Sequence, residues 1–311
     1  MDNKPKKLLL VINPNAGTHQ KDEVAQVATE VLTPCGFEIT ADWTTGPGDA
    51  TRMAQNAVAD GFYGVIVAGG DGTINEVARG LRGSDVAMGI LPCGSGNGLA
   101  RHLGIKMDVE GGLDVIKENN IISVDYGTVN DKPFFCTFGV GFDAAVSERF
   151  ARQERRGRMS YIKSAVLEFL NFAPEVYTIS LPDGTVLTEK AFLVAVCNAS
   201  QYGNNAYIAP NASITDGLFD VTIIHSGSPL TTALVGLDLI TGSIDHNMLI
   251  DRFKAKALTI KRAMPGPMHI DGEPMVSPCE MSIRCHHHEL RIFSPTKEKQ
   301  FKMILTPMQS F

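Results

Sequence analysis

The residues of this chain best placed to do chemistry are three glycine-rich turns. They are Asn13-Pro14-Asn15-Ala16-Gly17, Gly69-Gly70-Asp71-Gly72-Thr73 and Pro92-Cys93-Gly94-Ser95-Gly96-Asn97-Gly98. Each follows a short apolar run and leads into a stretch of helical periodicity. Glycine allows close backbone approach, and a helix starting behind the turn directs free N–H groups and a partial positive charge into it. Converging amides with no Cβ in the way suit a chain of phosphates. A single turn of this kind would be an ordinary strand ending. Three in register, with Asp71 set between glycines, point to a nucleotide. Mg²⁺ takes oxygen ligands and bridges carboxylates to phosphates, so Asp71 is also a natural place for a metal. The chain has no GxxxxGK[ST] run, so the turns do not form a P-loop.

Turns act together only if a frame lines them up. Leu8 to Ile12, Glu38 to Trp43, Gly64 to Ala68 and Ala87 to Leu91 read as strands. Asp22 to Leu32, Asp49 to Ala59, Thr73 to Leu81 and Asn97 to Leu103 read as the helices between and after them. Regular alternation of this kind predicts a parallel sheet flanked by helices, with ligands beyond the carboxyl ends of its strands. After about Ser123 the pattern becomes closely spaced strands: 124–129, 134–138, 176–181, 192–197, 218–225, 257–262, 281–285 and 290–293. Helices are expected near 144–152, 160–171 and 230–241. Turn pairs at Asn130-Asp131, Asp183-Gly184 and Asp271-Gly272 separate several of the strands. The expected architecture is therefore α/β plus all-β. Residues 1–124 form a three-layer nucleotide domain on a parallel sheet, and residues 125–293 form a β-sandwich.

Composition removes several classes of function. A formal charge of −6 with no aromatic-interleaved basic stripe argues against nucleic acid as a partner. No apolar run approaches the roughly 18 to 20 residues that span a bilayer. Lys4, Lys6 and Lys7 ahead of Leu8 to Ile12 imitate an export signal, but the apolar stretch is short and Asn13-Pro14 ends it. The cysteines at 35, 93, 136, 197, 279 and 285 are scattered without CxxC pairs, which fits a reducing cytoplasm.

The run Val67-Ala68-Gly69-Gly70-Asp71-Gly72-Thr73-Ile74-Asn75-Glu76 resembles the nucleotide-binding signature of the diacylglycerol kinase and sphingosine kinase superfamily. NAD kinases share that signature, but the Gly-Ser-Thr-Ala-Tyr-like segment expected of them is absent. The turn from Leu91 to Ala100 resembles the second lipid-kinase motif. Asn13-Pro14, Thr44-Thr45, Asp216-Gly217-Leu218-Phe219-Asp220 and Asp271-Gly272-Glu273 follow the family's order. The resemblance spans nearly the whole chain and is to the bacterial soluble lipid kinase type, with an NAD kinase-like nucleotide domain.

It implies a kinase that moves the γ-phosphoryl group of ATP onto a lipid hydroxyl, with ATP between the two domains. Asn13, Pro14, Asn15, Ala16 and Gly17, Thr45 or Thr44, Gly69 to Glu76 (Gly70, Asp71, Gly72, Thr73 and Asn75 among them), Gly94, Ser95 and Asn97 would line the ATP site. Asp71 would lie near the phosphates and their Mg²⁺. Asp271 or Glu273 would be the general base, with Asp271 slightly ahead, although Asp-Gly is equally an ordinary hairpin turn. Asp125 and Asp143 would face the acceptor. A second Mg²⁺ would sit at Asp216, with the carbonyls of Ser213 and Leu218 as co-ligands. Residues 294–311 would return to the first domain. Bacterial diacylglycerol kinases usually carry Gly-Thr-x-Asn-Asp in the third turn. Ser95 and Gly98 depart from it toward the sphingosine kinase version, so the acceptor is either diacylglycerol or a sphingoid base. The alternatives are an NAD kinase and a non-catalytic nucleotide-binding regulator. A homodimer is compatible with the resemblance.

Three further patterns need weighing. Gly139-Val140-Gly141-Phe142-Asp143-Ala144 matches a dinucleotide fingerprint, but the acidic strand end expected roughly 20 residues on is missing. Cys279, Cys285 and His286 to His288 could hold a metal. The alternation of Met281, Ile283 and Cys285 favours a buried strand face with the histidines at its end. Arg149, Arg152, Arg155, Arg156, Arg158 and Lys163 form a basic run beside Phe150, Met159 and Tyr161. Usually such a run is a solvated helix face. For an enzyme of bilayer lipids it is also a candidate contact with an anionic membrane surface, which would bring a cytoplasmic protein to the membrane transiently.

Overall fold

The computed structural model describes residues 5–17, 21–151, 172–228 and 247–296, with 231, 235, 238–239 and 241–244 between the last two ranges. The predicted helix at 160–171 and the basic run from Arg152 to Lys163 lie outside the described residues, as does most of 230–241. Two compact units emerge, Met1–Val124 with His288–Phe311, and Asp125–His287.

The first unit carries β1 (Lys6–Ile12), α1 (Lys21–Leu32), β2 (Phe37–Trp43), α2 (Asp49–Ala59), β3 (Gly64–Gly69), α3 (Asp71–Leu81), β4 (Ala87–Pro92), α4 (Gly98–His102) and α5 (Val109–Glu118). All the strand pairings among β1 to β4 are parallel. The sheet order runs β4-β3-β1-β2. Every residue of β3 and β4 is buried, as is β1 from Leu8 onward. That is the continuous burial of strands covered on both faces, and it explains why these runs are apolar without alternation. Helices supply the cover through single faces, Val24, Ala28 and Leu32 on α1 and Ile74, Val77, Ala78 and Leu81 on α3. Helix α5 escapes a reading by periodicity because Gly111 and Gly112 interrupt its first turns with the weakest helix former short of proline. Asp108 starts it nonetheless, its side chain accepting a hydrogen bond from Gly111 N at 2.7 Å.

The second unit continues through β5 (Ile121–Val129), β6 (Lys132–Phe134), β7 (Thr137–Gly141), α6 (Phe142–Ala151), β8 (Glu175–Ser180), β9 (Val186–Cys197), β10 (Phe219–His225), β11 (Ile250–Ala255), β12 (Ala257–Arg262), β13 (Gly266–Ile270), β14 (Glu273–Ser277) and β15 (Glu280–Phe293). Strand β9 organises it. Its first half pairs with β8, and its second half lies between β7 and β10. Its burial follows suit, alternating over the first half and unbroken from Ala191 to Cys197. The sandwich core gathers Phe134, Phe138, Tyr177, Val194, Val196, Phe219, Val221, Ile260, Ile270 and Met281.

Two sequence-based expectations change here. The single strand expected at 134–138 is two, β6 and β7, parted at Phe135 and Cys136 because their amides bond the Asp271 carboxylate instead of a ladder partner. The strands expected at 281–285 and 290–293 are one, β15, so the histidines lie within it. Polar side chains there are held by cross-strand partners. The His286 ring stacks on Tyr126 with centroids 4.6 Å apart, and its Nε2 is 3.1 Å from Thr128 Oγ1. Beyond His288, β15 joins the parallel sheet of the first unit, Ile292 pairing with Met88 of β4.

Strand β5 places Gly127 directly opposite Phe134. A Cβ at Gly127 would lie 2.1 Å from the Phe134 ring, which is itself packed on Phe219 at 5.3 Å between centroids. Gly127→Ala should therefore destabilise the protein by about 1–3 kcal/mol through overpacking. In a Phe134→Leu background the same change should cost less. Denaturant unfolding of the four variants measures this coupling, and equal costs in both backgrounds would refute the contact.

Candidate active site

At the carboxyl edge of β1, β3 and β4 the three glycine turns are joined by side chains. Asn13 donates from Nδ2 to Thr73 Oγ1 at 2.9 Å, and its Oδ1 accepts from Asn15 N at 2.9 Å, so the first turn is fastened to the start of α3. Asp71 fastens the second turn to the third. Its Oδ2 accepts from Asn97 N at 2.8 Å and its Oδ1 from Gly98 N at 2.7 Å. The third turn is itself rigid. Asn97, buried and left-handed at φ 52°, uses its amide to hold both Gly94 N (3.2 Å) and Gly94 O (2.8 Å). Arg101 Nε holds Gly96 O at 2.8 Å. At Gly96 a Cβ would lie 2.5 Å from Asp71 Oδ2, so only glycine permits the approach of the two turns.

The remaining residues of the expected ATP site also meet here. Glu76 accepts from Gly48 N at 2.9 Å and Ala50 N at 3.2 Å, satisfying the amides that open α2. Thr45 donates both its N–H and its hydroxyl to Asp49, and the hydroxyl, followed by Arg52, holds the Asp49 carboxyl well below the usual carboxylate range. Pro14, Ala16 and Gly17 complete the first turn, with Ala16 N bonded to Asn13 O at 3.2 Å. Ser95 is exposed at the tip of the third turn, and the Nδ2 of Asn75 is a buried donor with no partner among the described residues. The glycine-only approach at Gly96 and this spare donor fit a phosphate-bearing ligand. Each Asp71 oxygen accepts one amide, leaving a lone pair on each for a cation or water.

In the second unit, Asp271 (φ 50°) and Gly272 (φ 81°) make the tight turn between β13 and β14. The Asp271 carboxylate accepts from three successive amides, Phe135 N, Cys136 N and Thr137 N, at 2.8–2.9 Å. Burial pushes its pKa up to about 6 against the pull of those bonds. Glu273, two residues on, is exposed at the first position of β14. Beneath the turn lies a buried set that sequence spacing does not signal. Asp143 Oδ2 is bonded to Tyr202 OH at 2.7 Å and to His269 Nε2 at 3.0 Å, and His269 Nδ1 faces Gly272 N at 3.3 Å. Asp125 is equally enclosed, accepting from Gly217 N at 2.7 Å and lying 2.8 Å from His287 Nδ1. The two aspartates expected to face the acceptor are thus both buried and hydrogen bonded within the unit.

At the expected second metal site, Ser213 Oγ is 3.2 Å from Thr215 Oγ1. Asp216 accepts from Leu218 N at 3.1 Å and pairs with Lys254 Nζ at 2.7 Å. The dinucleotide-like run at 139–144 does form a strand and helix, but β7 is antiparallel to both β9 and β13, so no βαβ unit exists there.

The diacylglycerol kinase catalytic domain family matches residues 7–129, and the YegS C-terminal NAD kinase beta sandwich-like domain matches residues 136–294. A YegS-like protein of Pseudomonas aeruginosa, named a probable lipid kinase, is 29% identical over 274 residues, 86% of this chain and 88% of its own. A diacylglycerol kinase of Bacillus subtilis is 28% identical over 274 residues, 86% of this chain and 90% of its own. Among solved structures, a Bacillus anthracis chain described as a diacylglycerol kinase superposes with a TM-score of 0.74 at 22% identity, covering 93% of this chain and 97% of that one. With a catalytic-domain match and a β-sandwich match that together run from residue 7 to residue 294, the chain belongs to the bacterial YegS-like lipid kinases, a family of phosphotransferases.

Proposed function

We propose that the protein transfers the γ-phosphoryl group of ATP to the hydroxyl of a membrane lipid. The observation that carries this reading is the Asp71 bridge, which sets two glycine turns side by side at the strand ends of a diacylglycerol kinase catalytic domain. Phosphoryl transfer asks a protein for positioning and charge stabilisation more than for covalent chemistry. On the nucleotide side, the turn amides bind phosphate oxygens and Asp71 keeps the turns in place. A divalent ion bound with the nucleotide, for which the spare lone pairs of Asp71 are the available protein ligand, would supply neutralisation of phosphate charge.

On the acceptor side the choice lies between two carboxylates. Asp271 anchors the hairpin, and three amides point at it. Glu273 is exposed and stands on the rigid strand that this anchor fixes. We therefore assign proton removal from the lipid hydroxyl to Glu273 and hairpin positioning to Asp271, reversing the order that the sequence suggested. The names of several relatives favour diacylglycerol as acceptor. Ser95 and Gly98 in the third turn favour a sphingoid base as the second reading.

Glu273→Gln should lower turnover by a factor on the order of 10² to 10⁴, the span of general-base catalysis, while melting temperature stays at the wild-type value. Asp271→Ala should lower both, because it strands three amides that cost about 1–3 kcal/mol each when unsatisfied. Near wild-type turnover in Glu273→Gln would move the base elsewhere. For the acceptor, labelled ATP with diacylglycerol, a sphingoid base and NAD under equal conditions should label diacylglycerol most strongly and NAD not at all. Labelling of NAD alone would overturn the lipid reading, and a dominant sphingoid product would show that the third turn reports the acceptor.

A further inference from the structure

The antiparallel register of β10 and β11 sets Lys254 directly across from Asp220. Asp216 stands in the turn just before β10, and its Oδ2 lies 2.7 Å from Lys254 Nζ. The same ammonium is 3.3 Å from Asp220 Oδ2, on a side chain only 10% exposed. The other oxygen of Asp216 takes the Leu218 amide at 3.1 Å. Burial raises the Asp220 pKa and Lys254 opposes that rise, while the bond to Asp216 raises the pKa of Lys254. Both carboxylates thus face one cation that the sheet itself delivers.

This arrangement does not fit the divalent ion expected at Ser213, Asp216 and Leu218. Mg²⁺ or Ca²⁺ binds carboxylate oxygen at roughly 2.0–2.6 Å, so at Asp216 Oδ2 it would have to share one oxygen with the ammonium already bonded there. Two cations so close, with two aspartates between them, would repel each other at short range. We propose that the ε-ammonium of Lys254 is the resident cation of the Asp216–Asp220 pair, so that this part of the sandwich is held without a divalent ion. The register explains why the lysine is effective. Its position is fixed by the backbone ladder, and its side chain has only to extend across one strand spacing.

Thermal unfolding of the full chain without nucleotide, with chelator and across a series of MgCl₂ and CaCl₂ concentrations, tests this. Wild-type protein should melt at one temperature throughout. Lys254→Met, which removes the charge and keeps the length, should melt lower in chelator and recover by a few degrees, saturably, with either ion. That recovery should vanish when Asp216→Asn is added. A saturable rise in the wild-type protein that Asp216→Asn abolishes would overturn the proposal, as would a Lys254→Met variant indifferent to both ions. Should Lys254→Met not fold, Mn²⁺ binding to the nucleotide-free wild type by electron paramagnetic resonance decides. The proposal requires no bound Mn²⁺ that Asp216→Asn removes, and finding such a site refutes it.

Discussion

A carboxylate that accepts amides from a turn 26 residues further along the chain sets the geometry of the first unit's edge. Asp71 begins α3, and its oxygens hold Asn97 N and Gly98 N where α4 begins. Two helix starts are thereby brought together at the ends of adjacent parallel strands. The other features follow from that contact. Gly96 has no side chain because Asp71 Oδ2 occupies the space, and Asn97 takes a left-handed backbone so that its side chain can hold Gly94. Asn13 fastens the first turn to Thr73, two residues beyond Asp71. Glu76, one turn further along α3, satisfies the amides that open α2. One helix thus distributes the edge of the sheet among three neighbouring turns.

The second unit uses the same device at Asp271. There a carboxylate in a tight turn gathers three amides from the segment between β6 and β7. The ladder is broken at that point so that the hairpin can be held, and the broken amides are satisfied by the carboxylate that causes the break. In both units an aspartate fixes backbone. The neighbours to which we assign the chemistry are turn amides in the first unit and Glu273 in the second.

What the sequence made legible depended on whether the information was local. The parallel strands of the first unit were readable because buried strands are continuous apolar runs bounded by glycine and asparagine turns. The three turns were readable because glycine is their local requirement. Cross-links were not readable, since nothing in the spacing of Asp71 and Asn97, or of Asp143, Tyr202 and His269, marks them as partners. Locally misleading composition accounts for the other differences. Paired glycines hid α5, and three consecutive histidines hid the middle of β15. The polar run Ile250–Ala255 hid β11, whose pattern carries only one buried residue. Lys254 lies on that unread strand, so its pairing with Asp216 and Asp220 appears only once the register of β10 and β11 is known.

We infer that the contact between the second and third turns, and not merely the negative charge of Asp71, shapes the proposed nucleotide site. The affinity of Gly96→Ala for ATP, measured at equilibrium with Mg²⁺ and without lipid, tests it most directly, because the substitution leaves the carboxylate in place and wedges the turns apart. Two hydrogen bonds to a charged group, worth about 1.5–3 kcal/mol each, are at stake. Gly96→Ala should lose at least about tenfold in ATP affinity, which is 1.4 kcal/mol, with secondary structure intact by circular dichroism. Wild-type affinity in a folded Gly96→Ala protein would contradict it.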